Sequence, residues 1–193
     1  MTIVKTGQLR LFAIRFLTIA MVKQWEVEEE LKFMPHIVII CTANICRSPY
    51  VEALLRRQLD LQPDQRTWEV SSAGTWAPIS RSAARYSIQL ARERGMDISG
   101  HRSRMVSAEI MAEADLLLCM TNSHREALAI EFRDHAHKIF LLSEMIGKNF
   151  NVTDPYGGPF DGYVEMVDLV EQLVKHGLPR IKQLSIRSAT TRR

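Results

Sequence analysis

Cys41 and Arg47 bracket the run Cys41, Thr42, Ala43, Asn44, Ile45, Cys46, Arg47 and Ser48, and both side chains suit the chemistry of a tetrahedral oxyanion. A thiolate is a capable nucleophile that can split a difficult transfer into two easier steps through a covalent intermediate. A guanidinium offers a planar fork that binds two phosphate oxygens at once, which a lysine point charge only approximates. The small residues between them permit a tight loop whose backbone N–H groups turn inward. A helix starting at Ser48 or Pro49 would add positive potential, making a nest for a dianion. A field of that kind favours thiolate over thiol. Ser48 sits where its hydroxyl reaches the Cys41 sulfur and stabilises it as a leaving group. The competing reading is an inert core cysteine. A zinc site is set aside because Cys41 and Cys46 lack a second close Cys or His pair to complete a tetrahedron.

The third chemical candidate is Asp154, which precedes Pro155. The proline ring fixes φ and restrains its predecessor to extended backbone, and such rigidity aims a carboxyl. Phosphoryl transfer from a poor leaving group needs an acid there, and the same carboxylate can then activate water against a phosphocysteine. Without Cys41 the segment would read as an ordinary Asp-Pro turn. Tyr50, Trp76 and Tyr156 are candidates for the walls of a cleft that takes a flat side chain; each is equally readable as packing.

The elements that must position these groups follow from periodicity. Residues 36–40, HIVII, form a β-branched run suited to a buried parallel strand, and a helical pattern follows over 49–59 with Pro49 in its first turn. Further strands fit 67–72, 115–120 and 138–142, and helices fit 82–94, 107–114 and 123–132. The spacing of Tyr163, Met166, Val167, Val170, Leu173 and Val174 marks a long terminal helix. Strands alternating with helices predict a doubly wound α/β fold, whose sites lie beyond the carboxyl ends of the strands. The loop beginning at Cys41 is at such an end.

The bulk numbers suit this reading. A chain of 193 residues, 46% hydrophobic and 24% charged, fits one ordinary globular domain. A net charge of +3, with much of the excess near the ends, is too diffuse for a nucleic-acid footprint. Three cysteines argue against a disulfide framework and for a reducing compartment, with the cytoplasm as the default. The apolar stretch 11–22 is short and interrupted by Arg15, so it does not read as a membrane span, and no small-x-small cleavage site follows it. Glu26, Glu28, Glu29 and Glu30 precede Met34. Two readings of residues 1–33 stand side by side: a translated leader ahead of a natural start at Met34, or an amphipathic helix packing on the domain or a partner. The expected division is 1–33 leader, 34–185 phosphatase domain and 186–193 basic tail.

The segments VIICTANICRSP, SSAGT, LLLCM and TDPYGG, in that order, resemble the low-molecular-weight protein tyrosine phosphatase family over about residues 35–184. The resemblance implies a four-stranded parallel sheet of order 2-1-3-4 with helices on both faces, and cytoplasmic, metal-independent hydrolysis with no cofactor. It implies Cys41 as nucleophile, Arg47 as the phosphate arginine and Asp154 as the acid, with Thr42, Ala43, Asn44, Ile45, Cys46 and Ser48 around the phosphate. Asn44 and Ser72 fall on the polar positions that brace the loop, and His101 on a histidine that hydrogen-bonds to the asparagine. Cys46 stands where family members with this pair trap an oxidised nucleophile as a disulfide. The implied substrate is a phosphorylated protein, with a cognate protein kinase to supply it.

Two features of the resemblance disagree about that substrate. Some bacterial relatives act on phosphoarginine and carry threonine where this chain has Ile45, so Ile45 resembles the tyrosine-specific members. Thr121 and His124 depart from the acidic residue usual after the methionine in tyrosine phosphatases and look more like the arginine type. Tyrosine is the preferred reading. Arsenate reductase chemistry on the same scaffold requires two further cysteines in a mobile segment, and only Cys119, within a strand pattern, remains. A binding module without turnover is disfavoured by Cys41, Arg47 and Asp154 occurring together.

Overall fold

A computed structural model describes residues 34–63 and 66–191. The two readings of residues 1–33 lie outside the described residues, as do the last two residues of the basic tail. Four strands form one parallel sheet: β1 (His36–Cys41), β2 (Glu69–Gly74), β3 (Leu116–Cys119) and β4 (Ile139–Leu141), in the order β2-β1-β3-β4. The helices are α1 (Arg47–Asp60), α2 (Arg85–Glu93), α3 (Ala108–Glu113), α4 (Asn122–Glu131) and α5 (Phe160–Thr191), with short 3₁₀ segments on either side of β4. This is the doubly wound architecture that the alternation of patterns predicts.

β1 lies in the middle of the sheet and is buried along its whole length, as a β-branched run covered on both faces must be. Its alternate residues serve two cores. Ile37, Ile39 and Cys41 face the layer that holds Tyr50, Val51 and Leu55 of α1 and Val167, Val170 and Val174 of α5. Val38 and Ile40 face the opposite layer, with Met111 of α3 and Leu128 of α4. β3 repeats the division, Leu116 and Leu118 on one face and Leu117 and Cys119 on the other. Cys41 therefore ends a strand fixed by packing on both sides, with its side chain directed to the face of α1.

The departures from the expected bounds have local causes. β2 runs two residues further than read from sequence, because its register with β1 carries the ladder from His36↔Glu69 to Cys41↔Gly74. Gly74 is required at that end: a Cβ there would collide with the Thr42 carbonyl oxygen and lie 2.9 Å from Ala77 Cβ. α2 starts at Arg85, not at 82, because the preceding residues are held as a loop by Ser103. Ser80 N–H donates to Ser103 O at 2.9 Å and Arg81 N–H to Ser103 Oγ at 2.9 Å. α5 continues through Pro179 to Thr191, so residues 186–191 of the expected tail are helical. Its inward stripe persists past the proline, with Ile181, Ser185 and Ala189 buried. Among the described residues no helix is long and apolar enough to cross a membrane.

Candidate active site

The loop between β1 and α1 has its carbonyls turned outward and engaged. Cys41 O accepts from Thr75 N–H (3.0 Å), Thr42 O from Trp76 N–H (2.9 Å), Ile45 O from Ala84 N–H (2.6 Å) and Cys46 O from Ser87 Oγ (3.1 Å). Asn44 O accepts from His101 Nε2 (2.7 Å), which places a proton on that nitrogen because a carbonyl only accepts. The N–H groups of Ala43, Asn44, Ile45 and Cys46 have no hydrogen-bond acceptor among the described residues. α1 then begins at Arg47 with no side-chain cap at Cys46, so its first N–H groups add to the same positive concavity. A nest of donors opening from a strand end into a helix is the arrangement that binds a tetrahedral anion.

Asn44 holds this shape. It is fully buried, with φ of 53°, a left-handed conformation that asparagine tolerates better than most residues. Its Nδ2 donates to Ser48 Oγ (2.9 Å) and Ser72 Oγ (2.8 Å), and its Oδ1 accepts from Arg104 N–H (3.0 Å). Ser72 Oγ donates in turn to Glu52 Oε2 at 2.7 Å, so the chain of polar groups is anchored on α1. Ser48 Oγ lies 3.0 Å from Cys41 Sγ. Because Ser48 is fully buried and already accepts from Asn44, its own proton is directed to the sulfur.

Arg47 is only 2% exposed and reaches under the loop. Nη1 donates to Val152 O (3.0 Å), and Nη2 is shared between Thr42 Oγ1 (3.2 Å) and Asp154 Oδ2 (2.5 Å). Nε is buried without a partner among the described residues. A buried orphan donor is costly, and this one sits beside the nest, where an anion's oxygen would satisfy it. The Asp154 carboxyl is 41% exposed on its outer side, and its Oδ1 accepts from Tyr156 N–H (3.2 Å). Thr42 Oγ1 also lies 2.9 Å from His124 Nε2, and His124 Nδ1 lies 2.9 Å from Thr121 Oγ1. Burial, then the Arg47 charge, pull the His124 pKa down to about 4, against a smaller opposing effect of Asp154. The ring is neutral, with Nε2 hydrogen-bonded to the Thr42 hydroxyl and Nδ1 to the Thr121 hydroxyl.

Residues 36–186 match the model of the family described as low molecular weight phosphotyrosine protein phosphatase. The chain belongs to that family. A protein-arginine-phosphatase of Bacillus subtilis is 32% identical over 148 residues, covering 76% of this chain and 97% of the relative. A probable low molecular weight protein-tyrosine-phosphatase, EpsP, of Ralstonia nicotianae is 30% identical, covering 77% and 97%. Among solved structures, the low molecular weight protein tyrosine phosphatase of T. tengcongensis superposes with a TM-score of 0.71 at 32% identity, covering 77% of this chain and 99% of that one.

Set in this family's fold, most residues singled out in the sequence converge. Two hydrogen-bonded sets meet at the loop: Cys41, Asn44 and Ser48, with Ser72 and His101 behind them, and Thr42, Arg47 and Asp154. Tyr50 is a correction. It is not a wall of the substrate cleft: on the inward face of α1 it is fully buried, and its hydroxyl donates to Glu171 Oε1 of α5 at 2.6 Å. Burial and that carboxylate raise its pKa, so it is a neutral phenol joining two helices. Trp76 donates its N–H to Thr42 O, but its ring is 75% exposed and lines neither cavity beside the loop. Tyr156 is 60% exposed and borders both cavities. Cys46 is buried, and burial outweighs the Ser87 hydrogen bond to push its thiol up to about 12. Cys119 is fully buried in β3, and its pKa is likewise raised by burial.

Two contributors escaped the sequence reading: Glu52, which anchors Ser72, and Tyr86, which lies edge-on to Tyr163 at 5.2 Å beside the mouth of the loop. His124, read there only as a substrate signal, braces Thr42. Glu52 lies one helical turn beyond Ser48 on α1, a spacing that would have brought it to notice. Nothing in the linear sequence joins Thr42 to His124.

Proposed function

We propose that the chain is a protein tyrosine phosphatase that works through a phosphocysteine on Cys41. The observation that carries this reading is the Cys41 sulfur, receiving the Ser48 proton at the base of a loop whose N–H groups have no protein acceptor, with Arg47 Nε unpaired beside it. The phosphate dianion of the substrate sits in the nest and takes hydrogen bonds from the loop N–H groups and from Arg47. The sulfur attacks phosphorus in line, and the bond to the leaving oxygen breaks. Asp154 gives that oxygen its proton, then removes one from the water that hydrolyses the S–P bond. Ser48 stabilises the departing thiolate.

The Arg47–Asp154 contact gives this sequence an order. A dianion in the nest competes with Asp154 for Arg47, so substrate binding recruits the arginine and frees the carboxyl to turn towards the leaving oxygen.

The assignment to phosphotyrosine is supported by Ile45, which is 7% exposed and borders the cavity at the loop's edge. An apolar branched side chain there suits an aromatic ring and offers no hydrogen bond to a guanidinium. Thr121 and His124 carry less weight as substrate signals than their resemblance suggests. Thr121 caps α4, and His124 spends both ring nitrogens on Thr42 and Thr121. The second reading, protein arginine phosphatase, is favoured by the Bacillus subtilis relative. The test is kcat/KM on matched phosphotyrosine and phosphoarginine peptides. The tyrosine reading expects the former to be higher, and a preference for phosphoarginine would overturn it. The free thiols of Cys41, Cys46 and Cys119 suit a reducing compartment such as the cytoplasm, and the phosphatase reading calls for a kinase that supplies the phosphorylated protein.

A further inference from the structure

A cavity of about 620 Å³ opens directly beside the loop, and its wall is cationic. On one side it is bounded by Ile45 of the loop and by Tyr156, two residues beyond Asp154; on the other it is bounded by Arg81, Arg85 and Tyr86. No carboxylate belongs to its lining. Some arginines spend their charge within the fold: Arg47, Arg56, Arg94 and Arg125 each pair with an Asp or Glu. Arg81 and Arg85 are exposed and form no ion pair among the described residues.

The wall is also built to stay in place. Ser103, 3% exposed, accepts from Ser80 N–H and Arg81 N–H, donates its own N–H to Arg81 O at 2.8 Å, and directs its hydroxyl to Pro78 O. Ser80 takes a left-handed φ of 56° within this clasp. Ala84 N–H ties the same segment to Ile45 O. The Arg85 guanidinium lies 4.8 Å over the Tyr86 ring and donates to the Tyr86 hydroxyl at 3.0 Å. Tyr86 in turn packs edge-on against Phe160 and Tyr163. A guanidinium laid on a ring keeps most of its donors free while losing little further entropy on meeting a partner.

Resting on the phosphatase reading, we infer that this cavity is a subsite for an acidic side chain next to the phosphorylated residue of the protein substrate, with Arg81 and Arg85 as its specificity-determining groups. A peptide whose phosphoryl group enters the nest must pass over Ile45, which carries its neighbouring residues toward this wall. A glutamate or aspartate there meets two cations, and a lysine meets repulsion.

The experiment compares kcat/KM for three phosphotyrosine peptide sets that carry Glu, Ala or Lys at the positions flanking the phosphotyrosine. Partly solvated ion pairs of this kind are expected to give the Glu set an advantage of about three- to tenfold over Ala, shrinking with salt, with Lys poorer than Ala. In the double variant Arg81→Ala/Arg85→Ala the Glu-to-Ala ratio should fall towards one, while Arg81→Lys/Arg85→Lys should keep a ratio above one. Equal kcat/KM for the three sets in the unmodified protein, with p-nitrophenyl phosphate still hydrolysed, would overturn the subsite and leave the phosphatase reading intact. A ratio unmoved in the double alanine variant would overturn the assignment to these two arginines. Failure to hydrolyse p-nitrophenyl phosphate at all would overturn the phosphatase reading, and the subsite with it.

Discussion

Replacing Asn44 separates what its backbone does from what its side chain does. The side chain makes three hydrogen bonds, to Ser48, Ser72 and Arg104, and each buried bond of this kind contributes about 1 kcal/mol. The backbone stands at φ of 53°, where alanine is disfavoured by about 1 kcal/mol or more and glycine is not. Asn44→Ala should therefore cost about 4 kcal/mol and Asn44→Gly about 3 kcal/mol. At a urea dependence of about 2 kcal/mol per molar, the two midpoints should differ by about 0.5 M. Turnover should respond differently from stability. Both variants remove the donor that fixes Ser48, so both should lose kcat on p-nitrophenyl phosphate to a similar extent. Equal midpoints for the two variants, or a cost below about 1 kcal/mol for Asn44→Ala, would refute the stability reasoning. Restoration of parental kcat by glycine would show that the loop's conformation matters and that the Ser48 hydrogen bond does not.

The other expectations concern the acid, the buried histidine and the loop's edge. Asp154→Asn should depress kcat far more for poor leaving groups than for activated aryl phosphates, since only the former need a proton; equal losses would remove Asp154 as the acid. His124 has a folded pKa near 4 against about 6.5 unfolded, so the unfolded chain binds more protons between those values and stability must fall as pH drops through that window. The urea-derived stability of the parent should decline by about 1 to 2 kcal/mol more than that of His124→Gln between pH 7 and pH 5, and parallel declines would sink the argument. Ile45→Thr should raise phosphoarginine activity relative to phosphotyrosine by about 1 to 3 kcal/mol in relative transition-state stabilisation, and an unchanged ratio would contradict the role given to Ile45.

The parts of the molecule legible in the sequence are those governed by local rules. A β-branched run, a loop of small residues and a helix with Pro49 in its first turn specify β1, the nest and α1 without reference to distant residues. Asp154 was legible because the following proline constrains it. The pairing of Asp154 with Arg47, and the bridge from Thr42 through His124, join residues far apart in the chain, and no period or spacing encodes such contacts. Tyr50 was misread because a tyrosine close to a catalytic loop looks like a cleft wall. Its direction is set by the turn of α1, which points it at α5, and Glu171 lies far along the chain. The terminal helix was read from its stripe over Tyr163 to Val174, and that stripe continues past Gly177 and Pro179 to Ile181, Ser185 and Ala189. Gly177 is there because a Cβ would strike Met145 Cβ, and the helix carries its inward face beyond the proline.

The central claim is that the phosphoryl group passes through the Cys41 sulfur. It is tested most directly by acid-quenching the protein during turnover of p-nitrophenyl phosphate and locating the trapped phosphoryl group by peptide mass spectrometry. Because Asp154 is also assigned to activating water in the second step, Asp154→Asn should increase the trapped fraction. The account predicts one phosphoryl group on Cys41, absent in Cys41→Ser, a variant without turnover whose loop and Arg47 still bind inorganic phosphate. Continued turnover by Cys41→Ser, or a phosphoryl group trapped on any other residue, would contradict it.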